Sequence, residues 1–254
     1  MVAWGRNDYG QVTVPDALTG VKAITAGRNH TAAVRADGTV AVWGDNFYGQ
    51  KNVPAGLSGV VAIAAGEYHT VAVRTNGTVV AWGFNGYGGT SVPAGLNSVI
   101  AVSAGGNHTV ALKADGTVVA WGDNGADQSS IPFGVNSVVA IAAGYYYTVA
   151  LRSNGTVITW GNNSDGQTTG TPTAAFPNTA AANPVTLNGL TLSGVAAIAA
   201  SRWHTVALVT PRMTAFSIGR TMTLLWPAAF SGYRLESARS LLPPVSWSRM
   251  DRLS

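Results

Sequence analysis

Four histidines, His30, His69, His108 and His204, are the side chains of this sequence best suited to hold a metal ion or move a proton. The first three stand 39 residues apart, and Tyr147 takes the next place in the same step. Equivalent places in a repeat fall on different structural units, so only a site on a shared axis would gather them. A tyrosine in the series favours a plainer role, a hydrogen bond inside each unit. Asp37 and Asp115 each precede glycine and read as turn formers, not catalytic acids. Asn76 and Asn154 hold the same place before Gly-Thr; this matches a glycosylation sequon, but the turn role accounts for both. Gly105-Gly106 falls in a turn between strands, not between a strand and a helix. Paired carboxylates, a nucleophile elbow, a phosphate loop and a metal motif are all missing from the sequence. With no cysteine there is no disulfide, thiolate ligand or thiol nucleophile. The expectation is a chain that is not an enzyme and carries no cofactor and no metal.

The elements that would position these residues follow from the repeat. Tryptophans recur at Trp4, Trp43, Trp82, Trp121 and Trp160, each 39 residues after the last and each followed by glycine. Ala-Gly precedes each of His30, His69, His108 and Tyr147, and threonine follows each. Asp/Asn-Gly-Thr at 37–39, 76–78, 115–117 and 154–156 is the third marker in the same register. The last copy is stretched: His204 lies 57 residues after Tyr147, and the excess falls in a long loop near 166–190, rich in Thr, Ala, Pro and Asn. Each unit holds three short apolar, partly β-branched runs, such as 60–64, 70–74 and 78–82. Asn76-Gly77 between the second and third runs predicts a two-residue hairpin turn with positive φ at both centres. A single three-stranded sheet cannot bury both faces, whereas sheets stacked about an axis can.

The predicted fold is therefore all-β, a propeller of about five three- to four-stranded blades over residues 1–209, followed by a tail at 210–254. The first Trp-Gly strand, Val2-Ala3-Trp4, precedes any partner, and the last His-Thr strand, 205–208, lacks a Trp-Gly strand after it. Pairing of these two would close a five-bladed ring; the alternative is an open arc cut from a larger propeller. Charged residues are only 10% of the chain, and its net charge is +4. Residues 1–209 carry nine basic and nine acidic side chains, and the tail carries six arginines and two acids. The body thus has no electrostatic footprint for nucleic acid. No apolar run approaches the ~20 residues of a membrane span, and no signal peptide is visible.

The unit Val-Val-Ala-Trp-Gly-x-Asn-x-Tyr-Gly-Gln, followed by Ala-Ile-Ala-Ala-Gly-x-x-His-Thr-Val-Ala and Asp/Asn-Gly-Thr, closely resembles the regulator of chromosome condensation repeat across residues 2–209. Its short step is most similar to bacterial versions. The resemblance implies a seven-bladed propeller, against five units counted here. It points to two activities in that family: guanine-nucleotide exchange on a small GTPase by a chromatin-binding protein, and inhibition of β-lactamases by a secreted protein. Residues 221–247 of the tail resemble a truncated C-terminal β module of bacterial secreted or surface proteins, which implies an extracellular or cell-surface location.

The strands run up, down and up, so the Ala-Gly-x-x-His turn and the loop after Trp-Gly emerge at one end of the ring. Tyr9, Phe47, Tyr48, Phe84 and Tyr87 come from the loops; Arg28, Glu67, Tyr68, Tyr145, Tyr146, Arg202 and Trp203 come from the turns. Such residues are enriched at interface hot spots. The candidate contact residues are Glu67, Tyr68, Tyr145, Tyr146, Arg202, Trp203, Phe47 and Phe84. The recurring tryptophans and histidines, Trp4 and His204 included, are assigned to the structure of the repeat. The function expected is a monomeric scaffold that binds a protein partner through this aromatic face, or a structural module of a surface protein. Enzyme inhibition is a special case of the first, and nucleotide exchange has the least support.

Overall fold

A computed structural model of the chain describes residues 1–169, 184–187 and 189–210, and the backbone of 214–218 and 221–225. It divides into two compact units, Met1–Thr210 and Pro211–Ser254. Every element of the first unit's sheets is a strand. The first four blades are three-stranded antiparallel meanders. They comprise β1 Val21–Ala26, β2 His30–Arg35 and β3 Val40–Gly44; β4 Val60–Ala65, β5 His69–Arg74 and β6 Val79–Gly83; β7 Val99–Ala104, β8 His108–Lys113 and β9 Val118–Gly122; and β10 Val138–Ala143, β11 Tyr147–Arg152 and β12 Val157–Gly161. A small hairpin, β13 Thr186–Leu187 and β14 Leu190–Thr191, precedes the two strands of the last blade, β15 Val195–Ala200 and β16 Thr205–Val209. In the second unit β17 Thr214–Ile218 pairs with β18 Thr221–Leu225. Residues 170–183, within the expected long loop, and 226–247, within the expected tail module, lie outside the described residues. The described end of that loop is not free coil: Pro184 bridges to Ile158 of β12, and Val185 packs between the fourth and fifth blades.

The blades stack through apolar faces. Val34 on β2, with Val40 and Val42 on β3, meets Val60, Ala72 and Trp82 of the next blade, and the same set recurs one step on around Val73, Val99, Ala111 and Trp121. Full burial of each such side chain contributes about 1.5–3 kcal/mol. In every blade the first strand has a register shift at the same place, for example between Val60 and Ala62. The hairpin between second and third strands differs from the expected two-residue turn. Arg74 N–H donates to Thr78 O, Gly77 N–H to Arg74 O, and only Gly77 of the pair has positive φ (+74°). The Asn76 side chain instead accepts from Thr78 N–H and Thr78 Oγ1 at 3.1 and 2.7 Å, which holds Asn76 out of the left-handed region. Gly77 O then accepts from Val99 N–H of the next blade, so the turn is also an inter-blade tie.

Within the described residues of the first unit the ring closure expected from counting strands is not formed, which leaves the open arc given as its alternative. Residues 1–4 form no strand, Trp4 is 84% exposed, and β15–β16 is a two-stranded sheet. Ile24 on the outer face of the first blade is 62% exposed, and Leu208 on the outer face of the last blade is 62% exposed. Their counterparts inside the stack, Ile63 and Leu151, are covered by neighbouring blades.

Candidate interaction face

The histidines come first, because they fix the turn that carries the face. His69 Nε2 is 3.0 Å from Thr109 Oγ1, and His30 and His108 repeat the contact to Thr70 and Thr148 at 3.0 and 3.1 Å. The expected bond inside each blade is thus a bond to the next one. The threonine hydroxyl has already given its proton to a loop carbonyl, Thr109 to Gly89 O at 2.8 Å and Thr148 to Gln128 O at 2.8 Å. It must therefore accept from the imidazole, which assigns the Nε2–H tautomer to the buried histidines. Burial lowers His30 and His69 to about 4 and His108 to about 3. These rings are neutral hydrogen-bond donors. Among the described residues no group of three or more His, Cys, Asp or Glu side chains is placed to hold a metal.

Each ring lies over the glycine of its own Ala-Gly pair. A Cβ on Gly66 would stand 2.3 Å from His69 Cε1 and 2.6 Å from Gly105 O of the next blade. The glycine thus lets imidazole and neighbouring backbone approach together. Tyr147 reaches farther than a histidine, and its hydroxyl donates to His204 O at 2.6 Å. His204 departs from the structural role expected of it. Ser201 stands where the other copies have glycine and bonds the His204 ring at 2.9 Å, and that ring is exposed. Trp43, Trp82, Trp121 and Trp160 are buried, and the last three donate Nε1–H to Gln50 O, Gly89 O and Gln128 O. Trp4 departs from the series, since no second strand stands beside it.

With the turns so fixed, their two variable residues divide by direction. Arg28, Glu67, Gly106, Tyr145 and Arg202 line a depression of about 300 Å³ floored by the Ala-Gly pairs. Glu67, expected as a contact residue, is 6% exposed because its carboxylate turns inward to Arg28 Nη1, which also reaches the Tyr68 hydroxyl. The Glu67 carboxylate and burial itself raise the Tyr145 hydroxyl well above its usual range, burial being the larger cause. The bond to Glu67 likewise raises Arg28, so the guanidinium keeps its charge.

Around this centre the aromatics form two groups. Tyr48 touches Phe47, Tyr68 and Phe84 with ring centroids 4.8, 4.8 and 4.9 Å away, and Tyr87 extends the row from Phe84 at 5.9 Å. Tyr145 packs edge-on to Tyr146 at 4.3 Å and stacks near Trp203 at 6.2 Å. The Arg202 guanidinium lies over Tyr145 at 4.2 Å and over Trp203 at 5.0 Å. Phe47 remains 82% exposed and Trp203 48% exposed, while Tyr68, Tyr145, Tyr146 and Phe84 are half-buried. The face is a preorganised surface of rings and guanidinium groups around the Glu67 carboxylate. The Arg28–Glu67 pair is the part that sequence reasoning missed. Its signal was opposite charge at the same place in consecutive copies.

The regulator of chromosome condensation (RCC1) repeat matches residues 21–50, 60–88, 99–128 and 138–167. No curated protein sequence matches the chain. Among solved structures, Prp20p from Saccharomyces cerevisiae is 21% identical over 83% of this chain and 65% of its own, with a TM-score of 0.64. Human WBSCR16 is 16% identical over 74% of this chain and 59% of its own, with a TM-score of 0.62. The ectodomain of the Physcomitrella patens receptor kinase CR4 is 26% identical over 62% of this chain and 45% of its own, with a TM-score of 0.52. The chain spans less than two thirds of the length of each. Residues 21–167 of this chain thus carry four RCC1 repeats, and the fold is that of the RCC1 β-propellers.

Proposed function

We propose that the chain is a non-catalytic scaffold that binds a protein partner through the face bearing Tyr68, Tyr145, Tyr146, Arg202 and Trp203, with Phe47 and Phe84 at its margin. The observation that carries this reading is the continuity of the surface. Two aromatic groups flank a centre held by Arg28 and Glu67, and Arg202 is spread over two rings. Aromatic and arginine side chains packed together lose little freedom on binding, which is how a few residues come to dominate an interface. Glu67 contributes by holding Arg28 and Tyr145 in place more than by contact of its own. Two solved structures of one relative, yeast Prp20, are described with protein partners: one bound to Kap60, the other with binding to Gsp1p and histones. Those partners belong to those proteins, and only the use of the fold for protein binding is carried over.

The test compares proteins captured by the wild type with those captured by Tyr145→Ala, Trp203→Ala and the double variant. A partner retained by the wild type and lost by the double variant, at unchanged melting temperature, supports the reading. An identical set with identical affinities counts against it.

A further inference from the structure

We propose that the open edge of the fifth blade receives the Trp-Gly strand Met1–Gly5 of a second copy of this chain, so that copies join head to tail. It does not rest on the binding role given to the aromatic face, although Trp203 of that face also lines the cavity at this edge. In the second to fourth blades a loop carbonyl takes two protons, one from the threonine of the second strand and one from the tryptophan of the third: Gln128 O accepts from Thr148 Oγ1 at 2.8 Å and from Trp160 Nε1 at 3.0 Å. In the fifth blade Gln167 O accepts from Thr205 Oγ1 at 3.0 Å and no indole donates to it, because β16 has no third strand beside it among the described residues of the first unit. A cavity of about 300 Å³ lies there, lined by Val157, Thr159, Leu192, Thr205 and Ala207. Stepping back through the repeat, these residues correspond to Val40, Val42, Leu57, Thr70 and Ala72, all but Thr70 being members of the cluster that encloses Trp82. The cavity is the place of a missing tryptophan.

Among the described residues, the segment 1–5 has the sequence of such a strand and pairs with none. Met1-Val2-Ala3-Trp4-Gly5 matches Val79-Val80-Ala81-Trp82-Gly83 at all but the first position. Gly5 has φ +110°, against +100° to +103° at Gly44, Gly83, Gly122 and Gly161, so the segment already leaves the first blade as a third strand would. Gln11 O accepts from Thr31 Oγ1 at 2.7 Å, which ties this segment to the first blade, and Met1 lies beside Leu18 and Ile24 there. Its own open edge is at the other end of the arc. The faces behind the two edges are complementary. Ile24 is 62% exposed on the first blade, and Val206 and Leu208 are 57% and 62% exposed on the fifth. Inside the stack the counterparts of the last two, Val149 and Leu151, are 0% and 3% exposed. A second copy docked one step on would repeat an inter-blade contact the chain already makes four times, in a heterologous geometry. The register of β11 with β12 sets Trp4 opposite Thr205 and Ala3 opposite Val206. The proposal departs from the monomer expected from the sequence.

The chain has no cysteine, so single cysteines report the contact cleanly. Ala3→Cys and Val206→Cys, each made alone, are mixed and oxidised. A covalent dimer abundant in the mixture and scarce in each variant alone is the expected result. An Ala3→Cys, Val206→Cys double variant that closes on itself as a monomer would mean the chain's own strand fills the edge, and overturns the proposal. Absence of any product in both experiments also overturns it, since another segment then covers the edge. In sedimentation velocity the wild type should grow in size over about 1 µM to 1 mM, and Trp4→Ala should stay at the monomer. A wild type of constant size over that range contradicts the proposal. Trp4 is exposed, so the variant's unchanged melting temperature verifies that it folds.

Discussion

His69 Nε2 donates to Thr109 Oγ1 across 3.0 Å, from one blade to the next. The acceptor has already spent its own proton on Gly89 O at 2.8 Å, so the contact exists only while the imidazole is the neutral Nε2–H tautomer or gains a second, buried proton.

The second case is the costly one, and it sets the pH dependence of stability. Burial lowers His30 and His69 to about 4 and His108 to about 3, from 6.5. Below pH 6.5 the unfolded chain binds protons that the folded chain refuses. Stability is therefore flat above about 6.5, falls as pH drops toward about 4, and levels only below the folded values. Fully expressed, the shifts of His30 and His69 are worth about 3 kcal/mol each and that of His108 about 5 kcal/mol. Thr39 and Thr117 hold Asp37 and Asp115 below the usual carboxylate range; their contribution is present above that range and is lost as pH falls, so it does not offset the histidines. Urea midpoints at pH 7.5 and 4.5 check this, and equal midpoints would refute it.

Gly66→Ala should be among the most damaging single changes. Its Cβ would stand 2.3 Å from His69 Cε1 and 2.6 Å from Gly105 O, and backbone cannot move aside cheaply. A loss of about 3 kcal/mol by chemical denaturation is expected. Gly56→Ala is the control: nothing lies within 4 Å, and only the positive φ of +73° resists, at about 1 kcal/mol.

Trp82→Phe keeps a ring but removes the indole N–H bonded to Gln50 O at 2.9 Å. The expected cost is about 2 kcal/mol, since the bond is buried and the smaller ring underfills its cluster. Trp4→Phe, at an exposed position, should leave the unfolding midpoint of dilute protein unchanged.

Asn76→Ala removes the acceptor of Thr78 N–H and Thr78 Oγ1 and should cost about 1 kcal/mol. Asn76→Asp should be close to neutral, because Asp37 and Asp115 make the same two bonds in their own turns. Thermal denaturation of both variants separates the outcomes.

Most of the fold was legible because its markers are local. Trp-Gly, Ala-Gly-x-x-His-Thr and Asp/Asn-Gly-Thr each name one edge of a strand, and their common step places the strands in order. What escaped depends on a neighbour one step away. The partner of His69 is 40 residues distant on another blade, so its bond read as internal. Glu67 reads as an exposed turn acid until Arg28, 39 residues earlier, is set beside it. The turn at Asn76-Gly77 was misjudged because the Asn side chain bonds Thr78 and changes which residue takes positive φ. The seam is a different case: matching strand counts do not say where Val2-Ala3-Trp4 lies, and within the first unit it pairs with no strand.

The interior ties described above join each blade or loop to the next one: His30 to Thr70, Gly38 O to Val60 N–H, and the loop at Gln50 to Trp82. Among the ties described, that of Glu67 to Tyr145 spans two periods, and it lies on the face and not in the interior. A gene exchange between misaligned copies, offset by a whole number of 39-residue steps, would therefore leave each donor facing a proper acceptor. Such a chain can change its length in single genetic events while its interior stays chemically the same, and selection then acts only on what the loops display.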